Sequence, residues 1–275
     1  KTGERYSYVY AAMHSTTSQL VAINVSNPKS PSVTANVSLS PCVTGSYPQG
    51  WFVYVYDEYV YLVTRETAGP EFHIFDISRQ RSVPVEIPIG RAVCKGYELT
   101  DTVEQMIVRD QISNGVTKRY AYLVTNESDR EIRVLDVTNP FSIFEATHID
   151  LPGSQDAMSL SLVGERLYVG RQSTLRGPEL YVYNTHTPYD GLQILGTKEV
   201  GSSVVGIRIA GPLAFIATTK VGQELQFFDV TDTANIVKVT TYAFLSIAGN
   251  AMDYENDFLY VSGQSTPQFQ ILHSP

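Results

Sequence analysis

The sequence predicts an all-β protein built from six copies of one unit, and three observations support this prediction. A segment written YVYLVTRETAGPEFHIFDIS (Tyr59 to Ser78) recurs as YAYLVTNESDREIRVLDVTNP (Tyr120 to Pro140). Within each copy apolar and polar residues alternate, which is the period of a half-buried strand. The chain also contains 18 Tyr and 11 Phe with only 17% charged residues, and aromatic and β-branched residues favour strands.

The repeat runs through the whole chain. Each copy contains an aromatic strand, a polar loop and a second alternating strand, as in EIRVLDVTNP. Internal repeats of about 40–50 residues indicate a repeat architecture. The shared aromatic is assigned to Tyr8, Tyr61, Tyr122, Tyr168, Phe215 and Tyr260.

Each unit is predicted to contain four antiparallel strands, here called a, b, c and d in chain order. Strands b and c form the repeated segment, and an alternating segment such as GWFVYVYDEY precedes it as strand a. Short turns at Asp57-Glu58, Gly164-Glu165 and Gly211-Pro212 join strands a and b. Segments such as NIVKVTTYAF follow as strand d.

Four strands per unit of this length are typical of propeller blades. The prediction is a single β-propeller domain over residues 1–275 with six recognisable blades. The blades are placed near residues 6–48, 49–90, 91–152, 153–198, 199–245 and 246–275. In the third blade the insertion RDQISNGVTKR is expected to lengthen the hairpin of strands a and b, with Ser113-Asn114-Gly115 at its tip.

The units resemble LVIVD repeats, in which a YAYVAD-like strand is followed by an LxVIDVSDP-like strand. The segments Tyr120–Pro140, Tyr59–Ser78 and Leu213–Asp232 carry the resemblance best, and the fourth and sixth units match loosely. The resemblance implies a propeller of bacterial or archaeal type, often extracellular. It implies no particular function, because one fold hosts enzymes, receptors and scaffolds.

A polar residue ends strand c in every unit. Two interpretations are open: a ring of ligands, or side chains that close the turn between strands c and d, and the second is favoured. The residues are Asn24, Asp76, Asp136, Asn184, Asp229 and His273.

The two terminal units are expected to be strand-deficient. The first has no segment long enough for strand a ahead of Tyr6, and the last stops at Pro275 without a strand d. Either segments are missing or the end blades have three strands, or a strand is supplied by another chain. The segment PQFQILHSP has no Lys or Asp to protect an open edge, so pairing with another subunit or with Lys1–Arg5 is expected there. The predicted assembly edge is Gln268, Phe269, Gln270, Ile271 and Leu272.

Composition limits the partners. The net charge of −8 disfavours nucleic acid, which requires a basic surface. The most apolar region, Val204 to Ala217, is too short for a membrane span and contains Arg208. The chain starts at Lys1 without Met or an apolar leader, which indicates a processed or excised form.

No catalytic, metal or cofactor site is predicted. The sequence lacks the common phosphate-binding, hydrolase and zinc-protease motifs. The histidines lie in different units without metal-ligand spacing. They are His14, His73, His148, His186 and His273.

Two cysteines and three glycosylation sequons favour an oxidising, exposed location. Cys42 and Cys94 occupy corresponding connections after strand d in neighbouring units, so a disulfide is predicted, with two independent buried thiols as the alternative. The candidate glycosylation sites are Asn24, Asn36 and Asn126.

The predicted function is a non-enzymatic extracellular or cell-surface scaffold, and its more specific form is a self-assembling subunit of a surface layer or filament. The expected partner is protein, in the form of other copies of the chain. The alternative is a ligand-binding protein, or an enzyme of the hydrolase or lyase type, that uses the mouth of the propeller channel.

Overall fold

The computed structural model is an almost entirely β structure. It describes residues 7–39, 48–65, 69–89, 95–113, 115–173, 177–243, 249–263 and 269–273. The described strands form six antiparallel sheets, each of which follows chain order from its first strand to its last. This is the six-bladed β-propeller class, so the predicted fold class is confirmed.

The second to fifth sheets have four strands, whereas the first and the sixth have three. The first sheet contains β1 (Tyr8–Ala12), β2 (Leu20–Asn24) and β3 (Ser32–Val37). The second contains β4 (Gly50–Tyr56), β5 (Tyr59–Thr64), β6 (Phe72–Asp76) and β7 (Val85–Glu86). The third contains β8 (Val103–Ser113), β9 (Val116–Thr125), β10 (Ile132–Asp136) and β11 (Phe144–Ile149).

The remaining sheets follow in the same way. The fourth contains β12 (Ala157–Val163), β13 (Arg166–Arg171), β14 (Leu180–Asn184) and β15 (Gln193–Lys198). The fifth contains β16 (Val204–Ala210), β17 (Leu213–Thr218), β18 (Leu225–Asp229) and β19 (Val237–Tyr242). The sixth contains β20 (Gly249–Glu255), β21 (Phe258–Gly263) and β22 (Phe269–His273).

The predicted hairpin turns between strands a and b are present. Asp57, Gly164 and Gly211 begin these turns with φ angles of 57°, 58° and 56°. Tight hairpin turns need this left-handed backbone because it matches the twist of the strands, and glycine adopts it without strain. The third sheet also has the lengthened hairpin predicted from the insertion, since β8 and β9 extend to Ser113 and from Val116.

The strand register tests the assignment of the repeated aromatic. In four sheets this residue pairs with the third residue of strand c, in the pairs Tyr61–Ile74, Tyr168–Val182, Phe215–Phe227 and Tyr260–Ile271. In the first sheet Tyr10, not Tyr8, has this place, opposite Ala22. The assignment of Tyr8 is therefore wrong by two residues. Because strand faces alternate with period two, Tyr8 and Tyr10 lie on the same face, so the sequence pattern could not separate them.

The chain divides into two compact units, residues 1–123 with 134–146 and residues 124–133 with 147–275. In the first unit β1 packs beside β4, and β4 beside β8. In the second, β12 packs beside β16, and β16 beside β20. Apolar side chains from facing sheets fill the spaces between them, as with Leu20 and Val60 in the first unit and Val182 and Phe228 in the second.

Strands c and d pair in the same register in the first, fourth and fifth sheets. Each pairing skips one residue of strand d, which forms a bulge at Thr34, Leu195 and Val239 respectively. Beside the bulge of the fourth sheet, Gly196 lets the next sheet approach closely. A Cβ atom on Gly196 would lie 1.7 Å from the carbonyl oxygen of Thr233, in the turn that leads to strand d of the fifth sheet. The turn and strand d of one sheet thus close the space against the sheet before it.

No helix within the described part of the chain is long and apolar enough to cross a membrane.

Candidate functional site

Five of the six polar residues predicted to end strand c close turns, as the favoured interpretation predicted, and the sixth, His273, ends β22. In five units the side-chain oxygen of this residue accepts a hydrogen bond from the backbone N–H two positions later, at 2.7–2.9 Å. The five residues are Asn24, Asp76, Asp136, Asn184 and Asp229. Hydrogen bonds from Ser78 and Thr231 lower the pKa values of the Asp76 and Asp229 carboxyl groups. These side chains are engaged locally, so they do not form a ring of ligands.

A second repeated polar position lies immediately before strand c, and sequence analysis missed it. It is buried in the first five units and is occupied by Gln19, Glu71, Glu131, Glu179 and Glu224. In four units the side-chain oxygen accepts a hydrogen bond of 2.7–2.9 Å from a backbone N–H that follows strand d. The donors are Leu39, Leu99, Leu151 and Val200. The signal was available, because Glu or Gln recurs at this place in the repeat.

Arg171 is the largest fully buried side chain in the described residues. It ends β13, where the second, third and fifth sheets have Thr64, Thr125 and Thr218. Its Nε donates to the carbonyl oxygen of Pro178 at 2.9 Å, and one terminal nitrogen donates to that of Pro152 at 2.6 Å.

Arg171 lies within a buried group of charged and aromatic residues. Its guanidinium carbon stands 5.4 Å from the centre of the Tyr181 ring, a cation–π distance. Glu131 and Glu179 are also buried. Burial raises the pKa of the Glu131 carboxyl, whereas the hydrogen bond from Leu151 and the positive charge of Arg171 act in the opposite direction. Arg171 thus links the connection between β11 and β12 to the loop between β13 and β14, because its guanidinium donates to one backbone carbonyl in each.

We predict that Glu131→Gln gains stability relative to the native chain as the pH rises from 4 to 7. The raised pKa means that the folded state holds the Glu131 proton more tightly than the unfolded state. The corresponding stability is present below the unfolded pKa of about 4.3 and is lost as the pH rises through the folded pKa. Glutamine avoids this loss and keeps an oxygen for the Leu151 N–H, as Gln19 does for Leu39.

Urea unfolding of the native chain and the variant at both pH values measures this difference. Glu255→Gln, which removes an exposed carboxylate, is the matched control and should leave the difference unchanged. Equal stability differences at pH 4 and pH 7 for Glu131→Gln would contradict the prediction.

A third polar group joins the hairpins formed by strands a and b of the second and third sheets. Arg119 donates to both oxygens of Asp110, at 2.7 and 3.1 Å, and to Asp57 at 3.1 Å. Its guanidinium also lies 4.9 Å from the Tyr56 ring. Its pKa is raised, chiefly by the hydrogen bond to Asp110. These contacts hold the β4–β5 turn against the β8–β9 hairpin. No cluster of three potential metal ligands occurs among the described residues.

The open edge of the sixth sheet is the most unusual feature of the described chain. Strand β22 occupies the position of strand c, yet no strand d lies beyond it among the described residues. Phe269 and Ile271 are 57% and 55% exposed. Equivalent residues in the fourth sheet, Leu180 and Val182, are completely buried. The predicted edge residues Gln270 and Leu272 also lie on β22, whereas Gln268 lies outside the described residues.

An apolar pocket of about 360 Å³ adjoins this edge, between the fifth and sixth sheets. Its walls come from β17, β18, β19, β20, β21 and β22. Phe215 is one of the lining residues, and its ring centre is 5.3 Å from that of Phe227, which is edge-on, and 5.3 Å from that of Tyr254, which is stacked. Val239 and Leu272 are also among its lining residues. Leu272 and His273 of β22 are among its lining residues, so the pocket borders the strand beside which a fourth strand of the sixth sheet would lie.

The other predicted sites have mixed outcomes. Cys42 and Cys94 both lie outside the described residues, so their disulfide stays a prediction. Asn36, on strand β3, and Asn126, between β9 and β10, are exposed, whereas Asn24 is partly buried and accepts the turn hydrogen bond from Ser26. All three remain candidates for glycosylation.

Comparison with known proteins defines the fold class alone. No protein-family model matches the chain, and no curated protein matches it significantly. Membership of the LVIVD-repeat family therefore stays a prediction from the repeat sequence.

Among solved structures the chain is similar to a "putative 6-phosphogluconolactonase" of Bacteroides fragilis, with a TM-score of 0.69 and 11% identity over 99% of this chain and 79% of that one. It is similar to the periplasmic gluconolactonase PpgL of Pseudomonas aeruginosa, with a TM-score of 0.67 and 11% identity over 98% and 79% of the two chains. It is also similar to Sqt1 of Saccharomyces cerevisiae, with a TM-score of 0.61 and 11% identity over 93% and 65%. Likeness at this level of identity carries the fold and not the activity.

Proposed function

We propose that this chain is a non-enzymatic scaffold at or outside the cell surface, which joins other copies of itself by adding a strand to the sixth sheet. One observation carries the proposal. Strand β22 has the sequence of a buried strand c, yet its side chains Phe269 and Ile271 are more than half exposed. Exposed apolar side chains grouped on one strand indicate a surface that contacts another protein segment.

The backbone of β22 supports the same proposal. An edge strand presents unpaired N–H and C=O groups, and proteins usually protect such edges with Lys, Pro, charges or bulges. The strand FQILH carries none of these. Addition of a strand from another chain is a recurring mode of protein recognition, in which the backbone supplies affinity and side-chain pockets supply specificity.

The location outside the cell rests on composition. Low charge, high Tyr, Ser and Thr content, the predicted Cys42–Cys94 disulfide and the sequons at Asn24, Asn36 and Asn126 favour it together. The resemblance to LVIVD repeats points in the same direction. Assembly into a surface layer or filament is the most specific form of this proposal.

An enzymatic propeller is the second candidate. Two of the similar structures carry lactonase names, and a group of buried charged residues lies around Arg171, Glu131 and Glu179 in the described part of the chain. The scaffold is favoured over this candidate because Arg171 is fully buried and donates to backbone carbonyls, so its function is to bind the chain together.

Light scattering and electron microscopy of the native chain test the proposal over a range of concentrations. We expect species larger than the 30.5 kDa monomer, with their fraction rising with concentration. A 30.5 kDa species alone at every concentration would contradict self-assembly. Hydrolysis of gluconolactone by such a monomer would favour the enzymatic candidate.

A further inference from the structure

We infer that the strand added to β22 is β1 of a second copy, and that Val9 of that copy fills the apolar pocket between the fifth and sixth sheets. This inference rests on the proposed function and adds the identity of the partner strand, its direction and the side chain that enters the pocket.

The corresponding space between the fourth and fifth sheets contains an aliphatic side chain that has no equivalent in the described part of the pocket. There the walls are Tyr168, Leu195 and Phe228, at the same register positions as Phe215, Val239 and Leu272 of the pocket. Ile236, which immediately precedes strand d of the fifth sheet, is buried in that space. A branched aliphatic side chain, located immediately before the strand that adds beyond strand c, therefore lies in this space within the same chain.

The first sheet supplies a strand with a matching open edge. β1 holds the position of strand b, and no strand a lies beyond it among the described residues. Val9 is 48% exposed, whereas Val60, its equivalent in the second sheet, is completely buried. Tyr10, on the opposite face of β1, is already used by the core of its own unit.

Direction and face agree for this pairing. Strands alternate in direction within each sheet, so a strand in position b runs in the direction that a fourth strand beyond β22 requires. Val9 has the register position of Leu259 in β21, and Leu259 lines the pocket. When β1 of a second copy continues the sixth sheet, Val9 thus faces the pocket. Tyr8 and Tyr10 come to the same face as Phe269 and Ile271.

The pairing joins two different surfaces, the β22 edge of one copy and the β1 edge of the next. Such a heterologous contact repeats along a chain of subunits, which forms a ring if the rotation closes and a filament if it does not. An open filament of this kind has two different ends, one with a free β22 edge and one with a free β1 edge.

Cysteine cross-linking tests the contact directly. The variants Val9→Cys and Val239→Cys are mixed and oxidised, and the cross-linked peptides are identified by mass spectrometry. We expect a covalent dimer that joins residue 9 to residue 239 in the mixture. Each variant alone, which retains the native Cys42 and Cys94, is the control for background cross-links.

A second measurement separates the pocket from the edge. Val9→Asp is expected to raise the concentration needed for assembly at least about tenfold, because a charge would be placed in an apolar pocket, whereas Val9→Ile is expected to preserve assembly. Val9 is half exposed in the single chain, so circular dichroism should show both variants folded.

The outcomes distinguish the assignment of Val9 to the pocket from the proposed strand addition at β22. Assembly that survives Val9→Asp but is lost on Ile271→Lys would overturn the assignment of Val9 and keep strand addition at β22. A 9–239 cross-link that forms only within one chain of a double variant would overturn the second copy as occupant. Absence of assembly by the native chain would overturn the proposed function and this inference together.

Discussion

Replacement of Arg171 by leucine is expected to lower the free energy of unfolding by about 3–5 kcal/mol at neutral pH, as removal of one partner from a buried charged network does. Arg171 is fully buried, and leucine cannot donate to the carbonyl oxygens of Pro152 and Pro178. Loss of the guanidinium also removes the positive charge that lowers the pKa of buried Glu131. The folded state would then hold the Glu131 proton more tightly, so the loss should be larger at pH 7 than at pH 4.

Urea unfolding at the two pH values measures this effect. Arg166→Leu is the matched control, because Arg166 lies on the same strand and is exposed. The double variant with Glu131→Gln should recover part of the loss at pH 7, since it removes the charge left without compensation. A loss for Arg171→Leu no greater than that for Arg166→Leu would show that the buried network does not stabilise the fold.

Replacement of Ile271 by lysine is expected to abolish assembly and leave the single chain folded. A charge that points from an edge strand is a common natural protection against strand addition. Ile271 is 55% exposed in the single chain, so a lysine there can reach water until a second strand and its neighbours cover it. The expected result is the monomer mass at concentrations where the native chain assembles.

Light scattering and circular dichroism, recorded on the same samples, separate assembly from folding. Val221→Lys is the matched control, because Val221 is an exposed apolar residue in a loop and not on a sheet edge. Assembly of Ile271→Lys at the native concentration would place the contact elsewhere on the molecule. Loss of assembly in both variants would indicate an effect of net charge and not of the β22 edge.

The repeat in the sequence was sufficient to predict the six sheets, their strand order and the three strands that the first and sixth sheets have among the described residues. This succeeded because each unit encodes its strands locally, through alternation of apolar and polar residues and through turn residues such as Gly164 and Gly211. The turn-closing role of Asp76 and its equivalents was predictable for the same reason, since the hydrogen bond spans only two residues.

The exact pairing of residues between neighbouring strands could not be predicted from the sequence pattern. Tyr8 was taken as the repeated aromatic where the structure has Tyr10, because the two residues share a face and differ only in their partner across the sheet. Burial of Glu131 and Arg171 also depends on which distant backbone groups meet them. Leu151 and Glu131 are 20 residues apart in the sequence and Pro152 and Arg171 are 19 apart, so these contacts are set by how the connections fold back, whereas Pro178 is only seven residues from Arg171.

The repeat pattern alone was enough to predict a β-propeller whose first and last units have three strands each among the described residues, and the pairing of the edge at Gln268–Leu272 stays a prediction. Only the packing of the sheets shows that an apolar pocket adjoins β22 and that Val9 on β1 is half exposed. The physical reason is that strand period is a local property of the chain. A pocket is made from side chains of several strands, such as Phe215, Val239 and Leu272, whose meeting depends on how the sheets pack.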